Sequence, residues 1–303
     1  MRFNLVQRHC LHFRRTFLKL FSSAASSLLS EDCFEEAEAR KKFKQLGKGD
    51  VTFTKMSGNL EGVGVLSLCN PERKNALTGY MMVKLAELVD ELEEWRNGKV
   101  LVLHGIDGYF CSGADLSIIK AINTPQEGNL MCAFMQRTLT RLGRLPLLSL
   151  AAIEGRALGG GAELALACDF RLMSRDEEIR FVQVKMGLTP GWGGGARLVR
   201  QVGKQTALKL LGTGEKVDLP YACQIGLVDG ELSHGKDIVT GCSEWLSEFL
   251  HADTSVLRGI KGVVCGGEDT SLEKKLDKER VIFKSLFGAE ANKTALEQAK
   301  KHK

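Results

Sequence analysis

The chain has 303 residues, 44% of them hydrophobic and 26% charged, which is the mix of an ordinary globular protein and not of a disordered or fibrous one. No uncharged run approaches the ~20 apolar residues that a membrane-spanning helix needs, so a transmembrane protein is excluded. The net charge of +5 traces to residues 1–30, where Arg2, Arg8, Arg14, Arg15 and Lys19 meet no acid. The remainder is balanced, at 37 basic against 37 acidic residues, and lacks the basic footprint of a protein that binds nucleic acid.

Residues 1–30 combine Arg, Ser, Leu and Phe without Asp or Glu, a composition that suits a mitochondrial transit peptide and equally a flexible leader. Residues 31–48 then turn densely charged (Glu35-Glu36-Ala37-Glu38-Ala39-Arg40-Lys41-Lys42), which predicts a short solvated helix serving as a linker. The folded body is expected to start near Gly49. Val63 to Leu68, Val100 to Leu103 and Leu147 to Ile153 read as buried strands separated by helical patterns, an α/β arrangement over residues 49–203. Between the first two strands, Met82, Leu85, Leu88, Val89, Leu92 and Trp95 recur every three or four residues, so one face of a helix meets the core and Lys84, Glu87, Glu91 and Glu94 meet water. Beyond residue 204 the β-like runs fade into a helical C-terminal region, in which Thr270-Ser271-Leu272-Glu273 reads as a capping box. The nine cysteines form no C-x-x-C pair and read as free thiols of a reducing compartment, with Cys168 and Cys223 in apolar helical settings that predict burial. No His or Cys spacing suits a metal.

Two segments share one design, a strand followed by a glycine-containing turn and the start of a helix. The first is His104-Gly105-Ile106-Asp107-Gly108-Tyr109-Phe110-Cys111-Ser112-Gly113-Ala114-Asp115-Leu116, and the second runs from Leu147 through Glu154-Gly155-Arg156-Ala157-Leu158-Gly159-Gly160-Gly161-Ala162-Glu163-Leu164. Consecutive glycines after a buried strand let bare N–H groups approach a ligand, and the positive end of the following helix favours a developing oxyanion. A triple glycine alone also fits a tight structural turn.

Taken together, Phe110 to Leu116 and Gly155 to Leu164 resemble the crotonase, or enoyl-CoA hydratase/isomerase, superfamily. Asn70-Pro71-Glu72-Arg73-Lys74-Asn75-Ala76-Leu77 is similar to its early CoA-contacting motif, and Pro190-Gly191-Trp192-Gly193-Gly194 to its Pro-Gly-x-Gly-Gly turn. The resemblance implies a crotonase-like ββα spiral core with a helical C-terminal region used for assembly into a homo-trimer or hexamer. It also implies an acyl-CoA thioester as substrate, no separate cofactor or metal, and a cytosolic location, against the mitochondrial look of the leader. By the same resemblance, the amides of Ala114 and Gly160 receive the thioester oxygen. Lys74, Asn75, Ala76, Ser112, Gly113, Asp115, Leu116, Gly159, Met186, Pro190, Gly191 and Trp192 line the CoA channel and the acyl end.

Hydratases of this superfamily use two carboxylates. Glu163 matches one, but Gln183 stands where the second belongs, and an amide is no general acid or base near neutral pH. Trp192 fills a usually small position and is expected to narrow the acyl end. Decarboxylation of a malonyl-type thioester needs no base, only a dry site and an enolate trap, so a wall from Trp192 and Met186 with Gln183 as neutral donor would suit it. Ala167 to Met173, with Ile179 to Val182 and Pro190 to Gly194, resembles the decarboxylase branch of the superfamily, and that resemblance implies a metabolite-repair decarboxylase of short branched malonyl-type thioesters, ethylmalonyl-CoA and methylmalonyl-CoA, with Ala114, Gly160, Glu163 and Gln183 as its catalytic residues. The alternatives are an enoyl-CoA hydratase or isomerase using Glu163 alone, and an RNA-binding or non-enzymatic relative. Gly191-Trp192-Gly193-Gly194-Gly195-Ala196 formally satisfies G-x-G-x-x-G/A, but it lies too late in the chain for a dinucleotide fingerprint.

Overall fold

The computed structural model describes residues 36–233, 237–265 and 271–301. The expected leader over residues 1–30 lies outside them. The centre of the fold is a six-stranded sheet of order β1-β2-β3-β4-β6-β8, built from β1 (Asp50–Lys55), β2 (Val63–Cys69), β3 (Val100–Gly105), β4 (Leu148–Ile153), β6 (Phe170–Met173) and β8 (Gly230–Glu231). Only the β1–β2 pair is antiparallel. A small side sheet pairs β5 (Ala157–Leu158) with β7 (Ile179–Arg180) in parallel.

Val63, Val65, Val100, Val102, Leu150 and Ala152 join one apolar cluster, closed by Leu246 and Cys242 and flanked by Trp245 and Phe249. The alternate residues Leu66, Leu68, Leu101 and Leu103 are fully buried too. The central strands are therefore covered on both faces, which is why they read as continuous apolar runs. Helix α2 (Gly79–Glu94), capped where the Thr78 hydroxyl accepts from the Met81 amide, buries Met82, Leu85, Leu88, Val89 and Leu92 as its periodicity requires. Helix α4 (Pro125–Gly143) opens on a full capping box between Thr124 and Glu127.

Three expectations need correction. The charged helix α1 (Glu36–Phe43) is no solvated linker: Ala39 and Phe43 are fully buried, and the Phe43 ring lies 5.7 Å from that of Phe134. One apolar residue per turn was enough to dock it, whatever its charge density. Cys168 is buried, but Cys223 is exposed on the last turn of α7 (Leu219–Gln224). The C-terminal region also supplies a strand, since Gly230 and Glu231 pair with Leu172 and Met173.

That region is otherwise helical and is pinned to the sheet by one buried cation, Lys261. From α10 (Thr254–Cys265), Lys261 Nζ donates to Leu147 O (2.7 Å) and to Asp169 Oδ2 (2.6 Å), which also accepts from the amide and hydroxyl of Ser149. Arg258 donates to Trp95 O (3.0 Å). Helix α11 (Leu272–Leu286) is capped by Ser271, one residue later than the capping box proposes; Thr270 lies outside the described residues. Removing one partner of a buried pair strands the other's charge, so Lys261→Met is expected to cost about 3 kcal/mol, with partial recovery in Lys261→Met/Asp169→Asn. Urea unfolding of the two variants measures this; an unchanged midpoint in the single variant would contradict it.

Candidate active site

The parallel strands β3 and β4 both deliver their chains to one edge of the sheet, where open α/β sheets hold ligands. Beyond it the two glycine turns are stitched together. Cys111 bridges Ala157 in parallel, its amide donating to Arg156 O (3.1 Å) and its carbonyl accepting from the Leu158 amide (3.0 Å). Equal steps from that bridge bring Ala114 and Gly160 alongside each other. Consistent with this, a Cβ on Gly113 would stand 3.1 Å from the Gly160 nitrogen.

Among the described residues neither amide has a hydrogen-bond acceptor. Ala114 bridges Leu77 through its neighbours: the Leu77 amide donates to Gly113 O (2.8 Å) and the Asp115 amide to Leu77 O (2.9 Å), which leaves the Ala114 N–H facing the other way. Gly160 is the first residue of α5 (Gly160–Ala165), so its N–H has no acceptor within the helix. The turn before it is held by Gly159, whose φ of 53° and ψ of −114° only glycine adopts readily, and whose amide donates to Arg180 O (2.9 Å). Two unengaged donors at one spot can hold a negatively charged oxygen.

Glu163, in the same helix, is 2% exposed. Its Oε1 accepts from Gln183 Nε2 (2.9 Å) and the Gly191 amide (3.4 Å), and its Oε2 from the amides of Trp192 and Gly194 (2.8 Å each). Burial pushes its pKa above the usual carboxylate range, and the four donors pull it back without cancelling that push. A carboxylate offers about four lone-pair sites, so this one is saturated. The carboxylate buckles α5 to the turn Pro190 to Gly194.

Gln183 is tied to the same carboxylate. Because a carboxylate can only accept, the amide must turn its NH2 to Glu163, and its Oε1 is left buried without a partner. One of its two N–H groups is spent on the protein. Met186, at the end of the 3-10 turn Val182–Met186, is 58% exposed and builds no wall with Trp192.

Trp192 is 3% exposed, and its indole lies so close on Gly160 that a Cβ there would stand 2.5 Å from Cζ3. The ring is a plug directly beside the unengaged Gly160 amide. Pro190 and Gly191 frame it, with the Gly191 carbonyl accepting from Gln136 Nε2 (2.8 Å).

The remaining candidates lie around the first turn. Lys74 and Asn75 both take the left-handed conformation (φ 51° and 54°), an uncommon pair for non-glycine residues. Asn75 holds the strain: fully buried, its Oδ1 accepts from the Asn70 amide (2.9 Å) while Nδ2 donates to Ile106 O (2.8 Å) and Tyr109 O (2.6 Å). That side chain clamps loops and is not free for a ligand. Ala76 is buried and its carbonyl accepts from Asn70 Nδ2 (2.8 Å). Lys74 Nζ sits 5.5 Å from the centre of the Tyr109 ring. Ser112 donates its hydroxyl to Arg73 O (3.0 Å) and its amide to Lys74 O (3.1 Å), tying the loop to the Gly113 turn. Asp115 caps α3 (Leu116–Ala121) by accepting from the amide (2.7 Å) and hydroxyl of Ser117, a structural duty. Leu116 is 59% exposed.

Burial pushes the Cys111 thiol up to about 12, which leaves it unreactive. Among the described residues no three His, Cys, Asp or Glu side chains gather as a metal site. Two cavities lie elsewhere, along the C-terminal helices, one of them also lined by Arg96 and Asn97.

Residues 58–303 match the enoyl-CoA hydratase/isomerase family. The chain belongs to that family. It is 44% identical over 285 residues to the ethylmalonyl-CoA decarboxylase of Xenopus tropicalis, covering 94% of each chain, and 47% identical over 268 residues to that of Danio rerio, covering 87% and 88%. Among solved structures, the enoyl-CoA hydratase of Bacillus anthracis superposes with a TM-score of 0.75 at 25% identity, over 84% of this chain and 96% of the other. The family's α/β spiral core, with its helical C-terminal region, is the fold seen here.

Sequence reasoning missed the supports of the Pro190 to Gly194 turn: on α4, Cys132, whose Sγ would stand 2.7 Å from a Cβ on Gly191, Gln136, and Thr140, which accepts from Arg197, itself a donor to Trp192 O. The α4 positions fall at i, i+4 and i+8, a legible stripe, but polar side chains in a stripe read as a solvent face.

Glu163 supplies a test. A folded pKa raised above the unfolded value gives a contribution that is complete below the ordinary carboxylate range and is lost as pH rises through it. Glu163→Gln also turns an NH2 toward donors, costing about 1–3 kcal/mol. The stability deficit of this variant is therefore expected to shrink as pH rises; urea unfolding across pH that showed it widening would refute the assignment.

Proposed function

We propose that the protein decarboxylates short branched malonyl-type CoA thioesters, converting ethylmalonyl-CoA to butyryl-CoA and also accepting methylmalonyl-CoA. The observation that carries the reading is the pair of unengaged amides at Ala114 and Gly160 beside the Trp192 plug, in a chain whose relatives bear the ethylmalonyl-CoA decarboxylase name.

In this mechanism the thioester oxygen lies between the two amides. The bond from the α-carbon to the free carboxylate breaks, its electron pair moves into the thioester to form the enolate, and carbon dioxide leaves. A proton from water then reaches the α-carbon. Donors aimed at the oxygen are worth more to the enolate than to the neutral carbonyl, on the order of 3 kcal/mol each. No base is needed, which matches a site whose one carboxylate is saturated and whose second is Gln183. Hydration of an enoyl thioester would need a carboxylate free to activate water.

The proposal is tested by incubating purified protein with ethylmalonyl-CoA and detecting butyryl-CoA by mass spectrometry, with crotonyl-CoA in parallel. Ala114→Pro is expected to lower the rate about 10²–10³-fold, because it removes a donor that the bridge to Leu77 does not use. Hydration of crotonyl-CoA outpacing decarboxylation would favour the hydratase reading.

Assembly into a trimer or hexamer belongs to the same reading. Val264, Val281, Phe283 and Phe287 of the C-terminal helices are each more than half exposed, beside an apolar groove of 440 Å³. We assign a second copy of the chain to this surface. Phe283→Asp is expected to shift the mass in light scattering toward the monomer, and an unchanged mass would exclude this face.

A further inference from the structure

Arg197 stands in the first turn of α6 (Gly194–Thr213), where the helix dipole disfavours a cation. Among the described residues no carboxylate comes within ion-pairing distance of it. Burial pushes its pKa down, with the more distant Glu163 opposing. A guanidinium kept in three unfavourable circumstances must be held there by what it bonds. Its Nη1 donates to Trp192 O (2.8 Å) and its Nη2 to Thr140 Oγ1 (3.1 Å), so it spans from the turn to α4.

Those two bonds complete the restraint on the plug. The Trp192 amide is fixed by Glu163, the carbonyl before it by Gln136, its own carbonyl by Arg197, and the indole is pressed on Gly160. Glu163 of α5 holds the tryptophan's amide, and Arg197 holds its carbonyl and passes that hold on to Thr140 of α4.

We propose that Arg197 is a positioning residue that sets the acyl-chain limit of the site by holding the Trp192 indole over Gly160, so that chains longer than butyryl are excluded. The inference rests on the active site lying at the Ala114 and Gly160 amides, as the proposed function has it. One extra or missing methylene in an apolar pocket commonly changes binding 10–200-fold, so a plug that moves by a fraction of its width is readable as selectivity.

The test is calorimetric titration of butyryl-CoA and octanoyl-CoA into the full-length protein, so that it needs no turnover. The wild type is expected to prefer butyryl-CoA by at least about tenfold. Trp192→Ala and Arg197→Met should each bring the ratio near one, and the double variant should go no further, because the arginine acts through the tryptophan. Arg197→Lys, which keeps the charge and one donor, should fall between. If Arg197→Met does not fold, Thr140→Val, which removes only the far anchor, should lower the ratio in part. Equal affinities in the wild type, a parallel loss for both ligands in Arg197→Met, or additive effects in the double variant would overturn the proposal. Failure to release carbon dioxide from ethylmalonyl-CoA, with selectivity behaving as stated, would instead overturn the proposed reaction alone.

Discussion

The carboxylate of Glu163 is taken out of water and surrounded by four donors, three of them main-chain amides from one turn. Burial of an ionised group is costly unless its partners are close and complete, so the chain cannot keep Glu163 inside without also fixing the path of residues 190–194. That path decides where the Trp192 ring lies, and the ring lies on Gly160. Of the two amides in the site, one is thus bounded by a buried charge acting at one remove, while the other is placed by the bridges to Leu77 and Ala157.

This division explains how a fold shared with hydratases can serve a different reaction. The donors that stabilise a thioester enolate are main-chain groups fixed by strand and turn geometry, so they persist whatever side chains surround them. What differs is the opposite wall. Position 183 is an amide that gives one N–H to Glu163, and on the proposed reaction no base is called for there. Decarboxylation brings its own electron pair.

The strands and the glycine turns were legible because each rests on a local rule: apolar runs covered on both faces, and glycines where the chain must turn with bare amides. The Met82 to Leu92 stripe was legible for the same reason. Side-chain duties were not. Asn75 and Asp115 sit in motifs that suggest ligand contact, yet Asn75 finds two of its three partners more than thirty residues away and Asp115 caps its own helix. Nothing in composition distinguishes a buried clamp from a binding group. Arg197 was passed over because a charged residue at a helix start reads as a solvated one, and only the carbonyl of Trp192 shows otherwise. The docking of α1 was hidden in the same way, by charge outnumbering two buried apolar residues.

Helix α6 is broken at Gly203, where φ is 77° and ψ is 165°. Its first nine residues carry the Gly194 amide to Glu163 and the guanidinium to Trp192, and the rest run on toward Thr213. Because a helix dipole acts within its first turn, the break subtracts little from the field at Glu163. It does give the two halves separate directions. The far half can therefore take a direction of its own, while the near half keeps its aim on Glu163 and Trp192.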